Sequence, residues 1–151
     1  MRITISGRSK HVDTKIIRKA LQWYGRELMP KLHKEIRLEV EIVRNLRKQE
    51  GVDGGAAWIG LSKRKPRDFC IEIDSALGMR NALKILAHEM VHVKQFAKRE
   101  MIDHENAKHV SWHGKRYLCH TDDRYWTLPW EVEAYGLEPG LYYRFRRDTG
   151  I

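Results

Sequence analysis

Cysteine and proline are scarce in this sequence, and long apolar runs are absent. The 151 residues include two Cys and four Pro. Two cysteines, Cys70 and Cys119, cannot build the disulfide framework of a small secreted domain, and they form no CxxC pair. No segment approaches the roughly 18 to 20 apolar residues that span a bilayer, and the first ten residues lack the apolar stretch of a secretory signal. We therefore expect a cytoplasmic protein that does not enter a membrane.

The composition of the chain is that of a folded, basic protein. Hydrophobic residues make up 42% of the chain and charged residues 32%, which excludes wholesale disorder. The length suits one domain, spanning residues 1–151. A net charge of +9 gives a positive field that attracts polyanions or acidic proteins, although charge alone identifies no partner.

The periodicity of apolar residues predicts an α+β fold. Helical spacing indicates an amphipathic helix over residues 13–29 and a long one over 76–101, in which Leu83, Leu86 and Met90 share one face. Alternation with a period of two indicates a strand over 36–42, and further short strands are expected over 56–61 and 69–74. The remaining predictions are a basic loop over 62–67, a hairpin of 109–112 with 115–118, and a last helix from Pro129 toward Pro139.

The long predicted helix contains the sequence His88-Glu89-Met90-Val91-His92, an HExxH motif. Histidines four residues apart in a helix project from the same face, so both imidazoles can reach one zinc ion. Glu89 lies beside them and can take a proton from a metal-bound water without binding the metal. The motif therefore supplies two metal ligands and a general base.

Two further motifs accompany HEMVH: WHGKRY at 112–117 and PWEVEAYG at 129–136. Together with the order of helix and strands before HEMVH, they make residues 10–140 resemble the zincin metallopeptidases. Within these, the chain is similar to the short SprT-like or minimal gluzincin-type proteins of bacteria and phages. The resemblance implies a zincin-like α+β domain with a small twisted sheet, an HExxH active-site helix and a C-terminal helix. It also implies Zn²⁺ as cofactor.

A catalytic zinc has three protein ligands, so HExxH leaves one ligand open. In gluzincins this ligand is a glutamate in an ExxAD pattern, which Glu131 and Ala134 match, with Tyr135 in place of Asp. In SprT-like proteins it is a histidine often followed by glycine, as His113 is. We favour Glu131, because a carboxylate on the first turn of a packed helix is held rigidly. Glu133 is a third candidate, either as a ligand or as an acceptor that orients a bound imidazole.

The sequence thus predicts a zinc metallopeptidase that hydrolyses peptide bonds with Glu89 as general base. Its substrate would be a peptide or protein, and the strand at 56–61 would be a sheet edge along which an extended peptide lies. The alternative is a DNA-associated SprT-like protein. Its phosphate contacts would come from two basic clusters: Lys63, Arg64, Lys65 and Arg67, and then Arg144, Arg146 and Arg147. We expect the tyrosines Tyr135, Tyr142 and Tyr143 in the core.

Overall fold

The computed structural model describes residues 1–58, 64–104, 109–118 and 122–151. In chain order, the strands and helices are β1 (Arg2–Gly7), α1 (Thr14–Leu28), β2 (Arg37–Val43), α2 (Leu46–Glu50), β3 (Gly54–Trp58), β4 (Asp68–Asp74), α3 (Met79–Ala97), β5 (Met101–His104), β6 (His109–Trp112), β7 (Lys115–Leu118) and α4 (Pro129–Thr149). Two short 3₁₀-helices, His33–Glu35 and Asp122–Thr127, complete the described elements.

The larger sheet has four strands in the order β1-β2-β4-β3. The first three strands are parallel, and β3 runs antiparallel to β4 at the edge. On β2, Leu38, Val40 and Ile42 are buried, whereas Glu39 and Glu41 between them are exposed. This alternation gives the sheet one apolar face, which the helices cover, and one polar face.

The main core forms where α1, α3 and α4 pack on the apolar face and on one another. The side chains of Leu21, Leu86 and Phe145 are fully buried there. The Tyr24 hydroxyl, also buried, donates a hydrogen bond to the carbonyl of Leu83 at 3.1 Å, which ties α1 to α3. A smaller cluster around Met101 and Trp130 lies beneath the three-stranded sheet β5-β6-β7.

Most of the elements predicted from periodicity are confirmed. The predicted helix over 13–29 is α1, with Asp13 at its N-cap accepting a hydrogen bond from the Lys15 backbone N–H at 2.7 Å. The predicted strands over 36–42 and 69–74 are β2 and β4, and the hairpin is β6 with β7. The predicted strand over 56–61 begins two residues earlier as β3, and its positions 59–61, like 62 and 63 of the predicted loop, lie outside the described residues.

Three boundaries differ from the prediction for physical reasons. The long helix begins at Met79 and ends at Ala97, where Arg99 takes a left-handed backbone conformation and the chain turns into β5. The last helix does not end at Pro139 but continues to Thr149, because its apolar residues beyond the proline pack into the core. Strand β1 was not predicted, because only Ile3 and Ile5 alternate with polar residues along its six positions.

Among the described residues, no helix combines the length and the apolarity that crossing a bilayer requires.

Gly7 provides a test of the sheet. It ends β1 with a φ of +81°, and a side-chain carbon there would overlap the carbonyl oxygen of its partner Ile42. We expect Gly7→Ala to lower the free energy of unfolding by about 3 kcal/mol, because backbone strain and steric overlap add. Gly51→Ala is the control, since Gly51 has a similar φ but open space around it, and should cost about 1 kcal/mol. Equal losses in urea denaturation would contradict this account of Gly7.

Candidate metal centre

Helix α3 is buried on nearly all sides, and this buries its polar motif as well. Leu86 and Met90 face the core, while His88, Glu89 and His92 lie on the side that α4 covers. These three polar side chains are only 6 to 8% exposed. Polar groups at this depth require partners, since burial without hydrogen bonds or a bound ion is costly.

The two imidazoles and one carboxylate converge on a single point. The Nε2 atoms of His88 and His92 are 3.1 Å apart. One carboxylate oxygen of Glu131 lies 3.4 Å from His88 Nε2, and the other lies 3.5 Å from His92 Nε2. Ligands bound tetrahedrally to zinc at about 2.0 to 2.1 Å are separated by about 3.3 Å. The donor set and its spacing therefore fit a Zn²⁺ ion.

The charges of the cluster also favour a cation. Burial lowers the pKa of His88, but hydrogen bonding to Glu131 and interaction with Glu138 outweigh it and raise the pKa to about 9. Burial likewise raises the pKa of Glu131, yet the two histidines outweigh this effect and lower it to about 2. A carboxylate that stays ionised beside two imidazoles supplies the negative charge that offsets a bound dication.

Glu89 lies next to this cluster but outside the group of three convergent ligands. Burial raises the pKa of its carboxyl, although His92 and His88 act in the opposite direction. It lines the same cleft as the three convergent side chains. This is the position required of a proton acceptor that is not itself a ligand.

The orientation of His92 is fixed by Gln95. The Gln95 amide nitrogen donates to the Trp130 carbonyl at 2.9 Å and to Glu133 at 2.8 Å, and both partners can only accept. The amide oxygen must then face His92 Nδ1, 2.8 Å away, which therefore carries the proton. This arrangement leaves the lone pair of His92 on Nε2, pointing toward His88 and Glu131.

The network continues away from the cluster through a buried lysine. Lys94 Nζ lies 2.6 Å from Glu133 and 2.6 Å from Glu100. Because Lys94 and Gln95 occupy both oxygens of Glu133, that carboxylate positions Gln95 and is not among the convergent ligands. Of the two roles considered for Glu133, the structure supports that of an acceptor, acting through Gln95 rather than on an imidazole directly.

The other side of the cluster contains tyrosines and a second glutamate. The Tyr125 hydroxyl donates to Glu131 Oε2 at 2.9 Å. The Tyr135 ring packs on the His88 imidazole with 4.4 Å between the ring centroids. Glu138 Oε2 is 3.6 Å from His88 Nδ1, beyond hydrogen-bond distance, so Nδ1 is buried without a hydrogen-bond partner. His88 is thus held less tightly than His92.

The three candidates for the third ligand occupy different positions relative to the two histidines. Glu131, the favoured residue, lies with His88 and His92, and all three are buried. His113 is at the exposed turn between β6 and β7, with a φ of 45°, and its backbone N–H donates to the Glu100 carbonyl at 2.8 Å. It is absent from the convergent group among the described residues. Among the described residues, the structure brings Glu131, and not His113 or Glu133, together with the two histidines, and its role as a metal ligand stays a prediction.

Two residues of the site were not predicted. Gln95 follows His92 by three positions, and this spacing places both on one helix face, so a signal for it existed in the sequence. Tyr125 precedes Glu131 by six residues in a 3₁₀-helix, and no helical or strand periodicity relates the two. Two of the three tyrosines expected in the core were placed wrongly: Tyr142 is buried, but Tyr135 and Tyr143 are exposed.

The cluster opens into a cleft of about 230 Å³. Besides the cluster and Glu89, its lining includes Gly54, Gly55 and Ala56 of β3 together with Tyr125 and Trp130. Pockets that enclose a whole small-molecule ligand are usually about 300 to 1,000 Å³. The smaller volume suits part of a chain-like substrate.

Comparisons with protein-family models, curated proteins and solved structures gave no significant match.

The ligand set can be tested by measuring zinc affinity in competition with a chelator. We expect Glu131→Ala to weaken zinc binding much more than His113→Ala does, because the first variant removes a buried donor and the second an exposed turn residue. Wild type should retain about one zinc per chain. Severe loss in His113→Ala together with normal binding in Glu131→Ala would show that the third ligand is His113.

Gln95 provides a separate test of how His92 is positioned. Gln95→Ala should weaken zinc binding by about ten- to a hundredfold, because His92 loses the acceptor that fixes its tautomer. The Nδ1 proton of His92, observed by NMR, should also exchange faster with solvent. The control is Gln49→Ala at an exposed site on α2. Unchanged affinity and exchange in Gln95→Ala would contradict the positioning role.

Proposed function

We propose that this protein is a zinc-dependent metallopeptidase with His88, His92 and Glu131 as metal ligands and Glu89 as general base. The observation that carries the proposal is the convergence of these three donors at zinc-like spacing, with a fourth, non-ligand carboxylate beside them. The same arrangement supports the zincin-like reading of the α+β fold. A glutamate ligand on α4 favours the gluzincin-type pattern over the three-histidine pattern of SprT-like proteins.

Bound zinc would lower the pKa of its water to about 7 and polarise the carbonyl of the peptide bond. Glu89 takes the proton from the attacking water as the oxygen–carbon bond forms. It then passes that proton to the amide nitrogen as the carbon–nitrogen bond breaks, so that one water is consumed and a carboxylic acid and an amine are formed, which at neutral pH are released as a carboxylate and an ammonium. Burial raises the pKa of Glu89 and thereby makes it a stronger base than an exposed glutamate.

Strand β3 is suited to hold the substrate. It is the edge strand of the sheet and, among the described residues, pairs only with β4. Gly54, Gly55 and Ala56 line the cleft, and they carry no side chain longer than a methyl group that could shield the backbone. A peptide added along this edge would gain main-chain hydrogen bonds and would lie beside the metal ligands.

The nucleic-acid alternative receives less support. In the first basic cluster, Lys65 and Arg67 lie 3.2 and 3.1 Å from Glu35. In the second, Arg144 pairs with Glu27, and Arg147 lies 2.8 Å from Asp148. Lys63 is outside the described residues. Since carboxylates already pair with four of these cations, no specific observation favours DNA as the partner.

Glu89 gives the decisive test of mechanism. Glu89→Gln should retain zinc but lower the hydrolysis of fluorescently labelled casein by at least about a hundredfold, because an amide keeps the shape of the side chain and cannot accept a proton. Glu41→Gln, on the exposed face of β2, is the matched control and should retain activity. Full activity of Glu89→Gln, with zinc bound, would exclude the proposed mechanism.

A further inference from the structure

Three aromatic rings form an exposed surface next to the metal centre, which we call the aromatic wall: Tyr125, Trp126 and Tyr135. Their exposed fractions are 40, 66 and 39%. The three rings lie next to one another in space. The ring centroids of Tyr125 and Trp126 are 5.5 Å apart, and those of Trp126 and Tyr135 are 4.9 Å apart. Both ends of the wall contact the candidate metal centre, because Tyr135 packs on His88 and Tyr125 donates to Glu131, while Trp126 between them is the most exposed ring.

Core packing does not account for this surface. Other aromatic side chains of the protein, among them Tyr24, Tyr142 and Phe145, are almost fully buried. By contrast, two thirds of Trp126 is in contact with solvent, although leaving a large apolar ring there gives up the free energy that burial would provide. Contiguous exposed apolar surface beside a cleft is typical of a binding site.

The wall is attached to the proposed metal centre by direct contacts. The hydroxyl of Tyr125 donates to Glu131, and the ring of Tyr135 contacts His88. Tyr125 also lines the cleft, as do Gly54 and Gly55 of β3. Gly55 has no side chain, and no other atom lies within 4 Å of the position that a Cβ would occupy there. The space beside β3 at this position is therefore open.

The surrounding charge distinguishes between the ligands that stack on aromatic rings. The carboxylates of Glu89, Glu131 and Glu138 are all close to His88, where the wall begins. With a zinc dication bound, these three carboxylates still leave a net charge of about −1, which disfavours phosphates and therefore the bases of a nucleic acid despite the overall positive charge of the protein. An uncharged aromatic side chain of a peptide has no such penalty and can stack on Trp126 and Tyr135.

We propose that the aromatic wall is a specificity subsite that selects peptides carrying an aromatic residue next to the bond to be cleaved. The proposal rests on the peptidase function proposed above and names its substrate class. The backbone of β3 would bind any extended peptide, whereas the wall would distinguish one side chain from another.

The experiment uses the zinc-loaded Glu89→Gln protein, so that peptides are bound without being cleaved. Three dye-labelled hexapeptides are compared by fluorescence anisotropy: Gly-Gly-Phe-Ala-Gly-Gly, Gly-Gly-Ala-Phe-Gly-Gly and Gly-Gly-Ala-Ala-Gly-Gly. We expect one of the two Phe peptides to bind about tenfold more tightly than the Ala peptide, as stacking and apolar burial of one ring allow. Adding Trp126→Ala should reduce this preference to less than about twofold, and Trp126→Phe should restore part of it.

The control is Tyr143→Ala, which removes an exposed ring of α4 that does not belong to the wall and should leave the preference intact. Equal binding of all three peptides, absence of binding, or a preference that persists in Trp126→Ala would overturn the proposal. So would quenching of tryptophan fluorescence by an oligothymidine and not by the peptides.

The binding assay also separates this proposal from the proposed function. If the aromatic preference is present but the zinc-loaded wild type fails to hydrolyse either Phe peptide, the subsite stands and the peptidase function fails. If wild type hydrolyses all three peptides at the same rate and the preference is absent, the peptidase function stands and the subsite fails.

Discussion

The packing of α4 over the polar side of α3 is the constraint on which the site depends. Without α4, His88, Glu89 and His92 would face water as an ordinary polar helix surface. Covering them removes water from two imidazoles and a carboxylate, which is costly unless each finds a partner. Glu131 supplies that partner for both imidazoles from the first turn of α4, and its burial with them makes His88, His92 and Glu131 mutually dependent.

The far end of α4 keeps that first turn in place. Pro139 removes one backbone hydrogen bond from the helix interior, yet the helix continues. Beyond the proline, Leu141, Tyr142 and Phe145 are buried in the main core, and the ring of Phe145 lies 5.6 Å from that of Tyr24 on α1. Apolar burial of these side chains outweighs the lost hydrogen bond. The position of Glu131 thus depends on core contacts that are remote from the site.

Local periodicity explains both what was predictable from the sequence and what was not. Positions four apart in a helix identified His88 and His92, and alternation identified β2, because both patterns depend only on local geometry. The choice of Glu131 over His113 rested on helix rigidity, since sequence spacing does not show which of two distant segments approaches α3. Strand β1 has only two apolar residues in alternation, and the four-residue β5, which was also not predicted, has none. The continuation of α4 beyond Pro139 depends on tertiary contacts that override local preference. No helical or strand periodicity in the sequence predicts that Tyr125 and the other residues of the aromatic wall lie beside the metal centre.

The proposed peptidase site would be rigid on one side and adaptable on the other. His92 is fixed by Gln95, which is completely buried and held in turn by Glu133 and the Trp130 carbonyl. His88 has a Nδ1 without a hydrogen bond, and its imidazole contacts the exposed Tyr135 instead. A side chain that stacks on the wall would therefore press on the less constrained imidazole and leave the fixed one undisturbed. Recognition of the substrate and the geometry of the metal ligands would then be coupled through His88 and, by the hydrogen bond from Tyr125, through Glu131.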